Sequence, residues 1–467
     1  MSIRVPQRTV PGPAGREIAM SVTAVLIDPL KEYVALTTRY GDAVRIPIGR
    51  HRYLYLLSRP EHAEHVLATH QDNYVKSFTY RPLRALLGNG LLTSEGEDWR
   101  RHRRLLQPLF SRREVTRFAP MMTDAAQRML KSWDEMPDGA VLDVGRQMSA
   151  LALDVVGRAL FGADLTGDAA RMSRAIDAGQ RIAVLATLLP LSWGPRSSRA
   201  IRAVARRAGG TPTGMTGPVE RLIASRRAEL GAGGAGTNGS VEANGTADLL
   251  DVLLTARAED GTTLTHDEVT AEATTFMLAG HETSANALGW SLALLSAFPA
   301  ARERLEQEVE SVLAGRAPEA GDAGKLTWTS AVVAEAMRLY PPAWTIERDA
   351  VTDDNVAGVP VRAGSMVAIS PYLVHRNPDF WPDPAGFDPR RFLAPEPERP
   401  RYAYIPFGGG RRACIGQAFA ELETVIVLAS IAQRYRLELS ARGIPAPQAS
   451  VTLRPGRGLR MRLLRRR

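Results

Sequence analysis

Apolar residues recur at helical spacing over most of this chain. The pattern predicts amphipathic or buried helices at 59–70, 98–109, 120–134, 146–161, 265–297, 299–314 and 328–340. Strand-like runs are short: "AVRIPIG" (43–49), "YLYLLS" (53–58), "GVPVRAGSMVAIS" (358–370), "YRLELS" (435–440) and "VTLRPGRGLRMRLL" (451–464). The fold class is therefore mainly α with small β-sheets, and no internal repeat is present. "GAGGAGTNGSVEANGTAD" (231–248) has almost no bulky apolar residue and reads as a flexible surface loop. "AGGTPTGMTGP" (208–218) is turn-rich, and 383–400 reads as Pro-rich irregular coil. Residues 1–27 read as an N-terminal extension and 28–467 as one domain.

Composition narrows the class. With 467 residues, 45% of them hydrophobic and 23% charged, the chain can bury a sizeable core as a soluble globular protein. Its most apolar early stretch, "MSVTAVLIDPLKEYVAL" (20–36), is cut by Asp28, Pro29, Lys31 and Glu32, so neither a membrane span nor a signal peptide is expected. A cytoplasmic location follows by default. The net charge of +9 suggests nucleic acid at first sight. Five of those charges are the arginines of "RMRLLRRR" (460–467), which leaves +4 for the remainder. A basic tail is the simpler reading, and no nucleic-acid partner is expected.

One cysteine, Cys414, excludes an internal disulfide and makes structural zinc improbable. It lies in "PFGGGRRACIG" (406–416). Gly408, Gly409 and Gly410 permit a tight turn that aims amides at the sulfur. Gly416 allows a flat ligand close to the backbone. The helix predicted at 418–435 places its positive end beside the sulfur. Arg412 could reach an anionic rim. The alternative is an inert cysteine after a glycine turn. Phe407, Gly410, Arg412, Cys414 and Gly416 match F-x-x-G-x-R-x-C-x-G, and here the chain resembles the cytochrome P-450 family of haem-thiolate monooxygenases. That resemblance implies haem b with Cys414 as its axial ligand. It also implies the family fold, in which the haem is buried between a long distal helix and the cysteine-loop helix.

Further motifs follow in family order. "FMLAGHETSAN" (276–286) is similar to the A-G-x-x-T distal helix, so Thr283 would order water and steady dioxygen while Glu282 relays protons. A helix kink with Thr283 bonded back to a carbonyl is the alternative. "EAMRLYPP" (335–342) looks like E-x-x-R; with Arg391 of "FDPRRF" (387–392), Glu335 and Arg338 would form a structural triad. An ordinary surface pair would share that spacing. The family more often has Glu where Arg390 stands. "DWRRHRRLLQPLF" (98–110) resembles W-x-x-x-R, which implies that Trp99 and Arg103 meet a haem propionate. Arg348 and Arg412 resemble other propionate contacts, and His102 is a further candidate beside its reading as a surface or core histidine.

The resemblance implies reductive activation of dioxygen and oxygenation of a substrate. The pocket candidates Phe78, Leu91, Phe276, Ala279, Trp344, Ile346 and Val451 are apolar and favour a hydrophobic molecule: a terpenoid, fatty acyl chain, steroid or macrolide. Nothing in the sequence resembles a flavin segment, so a separate ferredoxin and ferredoxin reductase are expected. Arg100, Arg101, Arg104, Arg112, Arg113 and Arg411 are candidates to dock the ferredoxin. A monomer is expected. The rival readings are a haem-thiolate sensor without turnover and a peroxide-driven peroxygenase.

Overall fold

The computed structural model describes residues 10–49, 51–165, 212–232, 248–257, 261–393, 398–441, 443–456 and 458–466, with scattered positions between 166 and 182. Most of the loop read at 231–248 lies outside these residues. The longer helices are α1 (Arg16–Ile27), α2 (Pro29–Tyr40), α3 (Tyr80–Leu87), α4 (Gly96–Leu106), α5 (Ala119–Asp134), α6 (Val144–Phe161), α7 (Pro212–Ala232), α8 (His266–Ala297), α9 (Pro299–Leu313), α10 (Thr327–Leu339) and α11 (Gln417–Arg434). Each helix predicted from periodicity has a counterpart, although the one at 59–70 is a short α turn, Pro60–Glu64, continued as a π-helical turn, His65–Thr69.

The first sheet contains β1 (Ala43–Pro47), β2 (Tyr53–Leu57), β3 (Tyr74–Lys76), β5 (Ile346–Ala350) and β8 (Met366–Ile369), in the order β1–β2–β8–β5–β3. Only β2 and β8 run parallel in it. A second sheet has the order β4–β12–β9, from Val141–Asp143, Arg460–Arg465 and Tyr435–Leu439. Two small hairpins, β6/β7 and β10/β11, span Asp354–Val361 and Pro447–Pro455.

Three segments differ from the sequence reading. Asp28 and Pro29 do not merely interrupt an apolar stretch: Asp28 caps α2 by accepting from the Lys31 N–H at 3.2 Å, and Pro29 starts that helix. Residues 212–218, read as turn, open α7. Pro212 stands first, where its missing N–H costs nothing, and burial of Val219 and Ile223 outweighs the poor propensity of Gly214 and Gly217. Residues 460–465, read both as the end of a strand-like run and as the start of a basic tail, are the middle strand of the second sheet, so the strand reading holds and the tail reading does not. Met461 and Leu463 alternate into the core while the arginines face outward.

Helix α8 organises the interior. Thr265 and Glu268 form a capping box at its start, and Pro299 begins the next helix just beyond its end. It is apolar on nearly every side and packs against α6, α7, α10 and α11. At Gly280 an added Cβ would come within 2.8 Å of Val156, so that glycine sets the close approach of α6. Among the described residues no helix is long and apolar enough to cross a membrane.

Candidate active site

The cysteine loop is built on close backbone approach. Gly408 and Gly410 have φ of 72° and 65°. A Cβ on Gly410 would lie 1.8 Å from the Leu67 carbonyl oxygen, so only glycine lets the loop rest on the π-turn. The Cys414 N–H donates to the Phe407 carbonyl at 2.9 Å and closes the loop. Helix α11 follows, with Gly416 at its N-cap. Phe407 packs against the main core and, with Gly408, Gln417 and Glu421, lines a groove of about 560 Å³ toward α10.

The thiol of Cys414 has accessible surface, yet burial is the largest influence on it and pushes its pKa up. Both hold for a side chain that is deep in the protein and opens onto an internal space. The Gly416 N–H and Arg103 pull the other way and favour the thiolate. Across the fold, α8 is closed from Ala271 to Leu295 except at Ala279, Gly280, Glu282 and Thr283. Ala279 is the exposed residue of this stretch, and Gly280, Glu282 and Thr283 are half-buried beside it. Ser284, next to this opening, bonds Glu423 of α11 at 2.5 Å and ties the two helices together. Among the described residues no charged group pairs with Glu423, and burial raises its pKa to about 8, so it is a neutral acid at pH 7.

Thr283 donates to the Ala279 carbonyl at 2.6 Å, the back-bond considered from the sequence. Its oxygen keeps acceptor capacity toward the opening. Glu282 accepts from the Thr452 hydroxyl at 2.5 Å, and Thr452 accepts from the Asn286 amide at 3.2 Å.

Beside the cysteine loop lies a chamber rich in positive charge. Arg412 stacks over the Trp99 ring at 4.3 Å, pairs with Glu95 and approaches the Ser94 carbonyl. Arg348, buried on β5, acts electrostatically on Arg412. Arg103 donates to the Ala413 carbonyl at 2.9 Å, just before the sulfur. Lys76 was not anticipated: its ammonium donates to the carbonyls of Leu91 (3.1 Å) and Ser94 (3.0 Å). Burial and then Arg412 push its pKa down to about 6. Lys76, Arg348 and Arg412 thus act on one another with Glu95 as the nearby carboxylate, and such a cluster is costly until an anion joins it. A single thiol over an internal space, with a cationic chamber beside it, fits a haem held by one sulfur and two propionates. Trp99, Arg103, Arg348, Arg412 and Lys76 would hold the carboxylates.

His102 does not join that chamber. It is fully buried and bonds Glu272 and Glu268 of α8. The acids stand 166 and 170 residues away, beyond the reach of any local motif.

The triad residues are brought together. Arg338 donates to both oxygens of Glu335 at 2.7 and 2.8 Å, and to the carbonyls of His375, Pro384 and Gly386 at 2.8–2.9 Å. Arg391 approaches Glu335 at 3.4 Å, and the Asp388 N–H donates to it at 2.9 Å. His375, not singled out from sequence, accepts from the Ile405 N–H at 2.8 Å, while its other nitrogen meets the Arg338 carbonyl oxygen at 3.2 Å. Burial and then Arg338 lower its pKa to about 3, so it stays neutral. The triad thereby braces the segment that enters the cysteine loop.

The pocket candidates are dispersed. Phe78 and Trp344 pack with α2, with Tyr33 5.8 Å from Trp344. Phe276 stacks on Phe110 at 5.2 Å. Ile346 reaches within 3.6 Å of the Cβ position of Gly408. Leu91 flanks the main core, Val451 packs near Leu86 and Leu278, and Ala279 lines the opening.

Comparison with known proteins agrees with this arrangement. The family model described as Cytochrome P450 matches residues 11–459. The Mycobacterium tuberculosis protein named cytochrome P450 132 is 36% identical over 475 residues, covering 98% of each chain. Cyclooctatin synthase of Streptomyces melanosporofaciens is 32% identical, over 95% of this chain and 93% of its own. Pentalenene oxygenase of Streptomyces avermitilis is 32% identical, over 93% and 92%. With a family match across nearly its whole length and relatives above 30% identity, the chain belongs to the cytochrome P450 family of haem-thiolate monooxygenases.

Proposed function

We propose that this protein carries haem b on Cys414 and oxygenates a terpenoid, using electrons from a separate ferredoxin and its reductase. The observation that carries the reading is the accessible thiol beneath a deep fold, with the opening of α8 at Ala279 and Thr283 as its counterpart. When bound, the haem supplies reductive activation of dioxygen. The chain's own residues do the remainder. The Gly416 N–H and Arg103 favour the anionic sulfur. The cationic chamber fixes the cofactor's edge. Thr283, rotating from its bond to Ala279, can hold a water or donate its proton, and Glu282, steadied by Thr452, can resupply it.

Two relatives support the substrate class: pentalenene and cyclooctatin, after which they are named, are terpenoids. Ala279, Leu278 and Val451 offer such a molecule apolar surface. For the electron donor, Arg100, Arg104, Arg112, Arg113 and Arg411 are exposed, with Glu97 beside Arg100 and Asp72 beside Arg411, whereas Arg101 is half-buried against Glu268. The docking face therefore rests on the exposed five, and most on Arg104, Arg112 and Arg113.

The test begins with carbon monoxide bound to the reduced protein, whose Soret band should stand at the long-wavelength position of thiolate haem. Cys414→Ser should lose it; a variant that keeps it refutes the ligand assignment. A spectral titration against sesquiterpene and diterpene hydrocarbons, fatty acids and steroids should then show the shift from displaced water with the terpenes first. Preference for another class removes the terpenoid reading and leaves the haem assignment standing.

A further inference from the structure

His102 lies one helical turn after Trp99 and next to Arg103, the residues at the cofactor's edge. Its Nδ1 is 2.6 Å from Glu272 Oε1 and its Nε2 3.3 Å from Glu268 Oε1. Carboxylates accept and cannot donate while ionised, so both ring nitrogens serve as donors only in the imidazolium form. Glu272 is fully buried; its Oε2 has no hydrogen-bond partner, and its Oε1 bonds His102. Glu268 is also held by Arg101 and by Thr265 of the capping box. Lys76 also feels Glu272. The same turns of α8 seat the 88–93 loop, because a Cβ on Gly88 would come within 2.8 Å of Ala271 and one on Gly90 within 2.6 Å of Thr275. Residues 268–275 are thus the platform on which the cofactor's edge is assembled.

We propose that His102 clasps α4 to α8 through Glu272 and Glu268, and so positions Trp99 and Arg103 for the haem propionates. His102 is a positioning residue: it acts through α4 and touches no reacting atom. Burial alone would lower its pKa, but Glu272 and then Glu268 overcome that and raise it above the ordinary histidine value. A raised folded-state pKa means the clasp contributes fully below the ordinary value and is lost as pH rises through the raised one. Cofactor retention should therefore weaken on the alkaline side.

The inference rests on the haem reading, which the carbon monoxide spectrum of the wild type tests first; absence of that spectrum sinks both, whereas failure of the clasp test below leaves the haem reading standing. The clasp is tested by transfer of haemin from the holoprotein to excess haem-free myoglobin between pH 6 and pH 10, with every variant compared in a Lys76→Met background so that Lys76 does not titrate in that range. Wild-type loss should be slow and flat at low pH and rise on the alkaline side. His102→Gln keeps a donor but cannot titrate; its loss should be about tenfold faster at pH 6 and flat thereafter. Glu272→Gln keeps an acceptor and removes the charge, so its alkaline rise should begin roughly one pH unit or more lower. A merely structural role would change the rate equally at every pH. If Glu272→Gln and wild type share one pH profile, or if His102→Gln retains the alkaline rise, the clasp is overturned. Should His102→Gln fail to hold haem, the Glu272→Gln profile decides alone.

Discussion

Arg338→Ala is the substitution whose cost the structure makes most explicit. Arg338 and Glu335 are both fully buried. Truncation removes two charge-assisted bonds to Glu335 and three to carbonyls. Breaking a buried pair by deleting one member costs about 3–5 kcal/mol. Each orphaned carbonyl adds roughly 1 kcal/mol, which brings the total to about 6–8 kcal/mol. The Asp388 N–H and Arg391 remain on Glu335, which favours the lower end. Against a typical stability of about 5–15 kcal/mol, that loss should give insoluble or haem-free protein. Arg338→Lys keeps the charge but loses the fork, and should fold with stability lowered by about 2–3 kcal/mol. Urea unfolding followed by tryptophan fluorescence, with haem content measured in parallel, reads both variants. A soluble, haem-replete Arg338→Ala protein destabilised by less than about 1 kcal/mol would refute the reasoning.

Thr283→Ala should leave substrate affinity nearly unchanged while product per NADPH falls severalfold and peroxide rises; an unchanged yield removes Thr283 from proton delivery. Glu423→Gln should have little effect on the unfolding midpoint at pH 5 and should raise it at pH 8. The unfolded chain releases the Glu423 proton near the ordinary carboxylate value, whereas the folded protein keeps it to about pH 8, so native stability falls across that window and Gln abolishes the fall. A midpoint difference that does not grow with pH contradicts this. Arg100→Glu, Arg104→Glu and Arg113→Glu combined should slow ferredoxin-supported reduction at low salt and flatten its salt dependence, with substrate spectra unaltered. Wild-type rates in that variant would move the docking face elsewhere.

The cysteine loop and the E-x-x-R pair were legible because their residues lie within a few positions of one another, where spacing along the chain dictates spacing in space. Helix α8 was legible from its length and its all-round apolarity. The arrangements that sequence did not give are long-range. Lys76 is an ordinary surface residue type until its carbonyl partners at Leu91 and Ser94 and the repelling Arg412 close around it. His102 sits inside a recognisable helix, but only folding decides that it faces α8 and not the propionate chamber. Phe78 and Trp344 look like pocket aromatics by position, yet α2, whose start was read only as a break in an apolar run, covers them. Periodicity also missed β3, only three residues long, and β5, whose core-facing positions include the charged Arg348 and so break the apolar alternation.

The contact between Gly410 and the Leu67 carbonyl bears on how this scaffold can be re-engineered. The sulfur's seat is a joint between two pieces of chain some 340 residues apart, and the joint has no slack. Chimaeras that exchange 405–416 without 65–69, or the reverse, should misplace the ligand even when each half is a working sequence. Libraries are better confined to the strip around Ala279 and to Val451, clear of Gly88 and Gly90, which rest on α8, and of Thr452, which holds Glu282. Changes there leave the anvil beneath the sulfur in place.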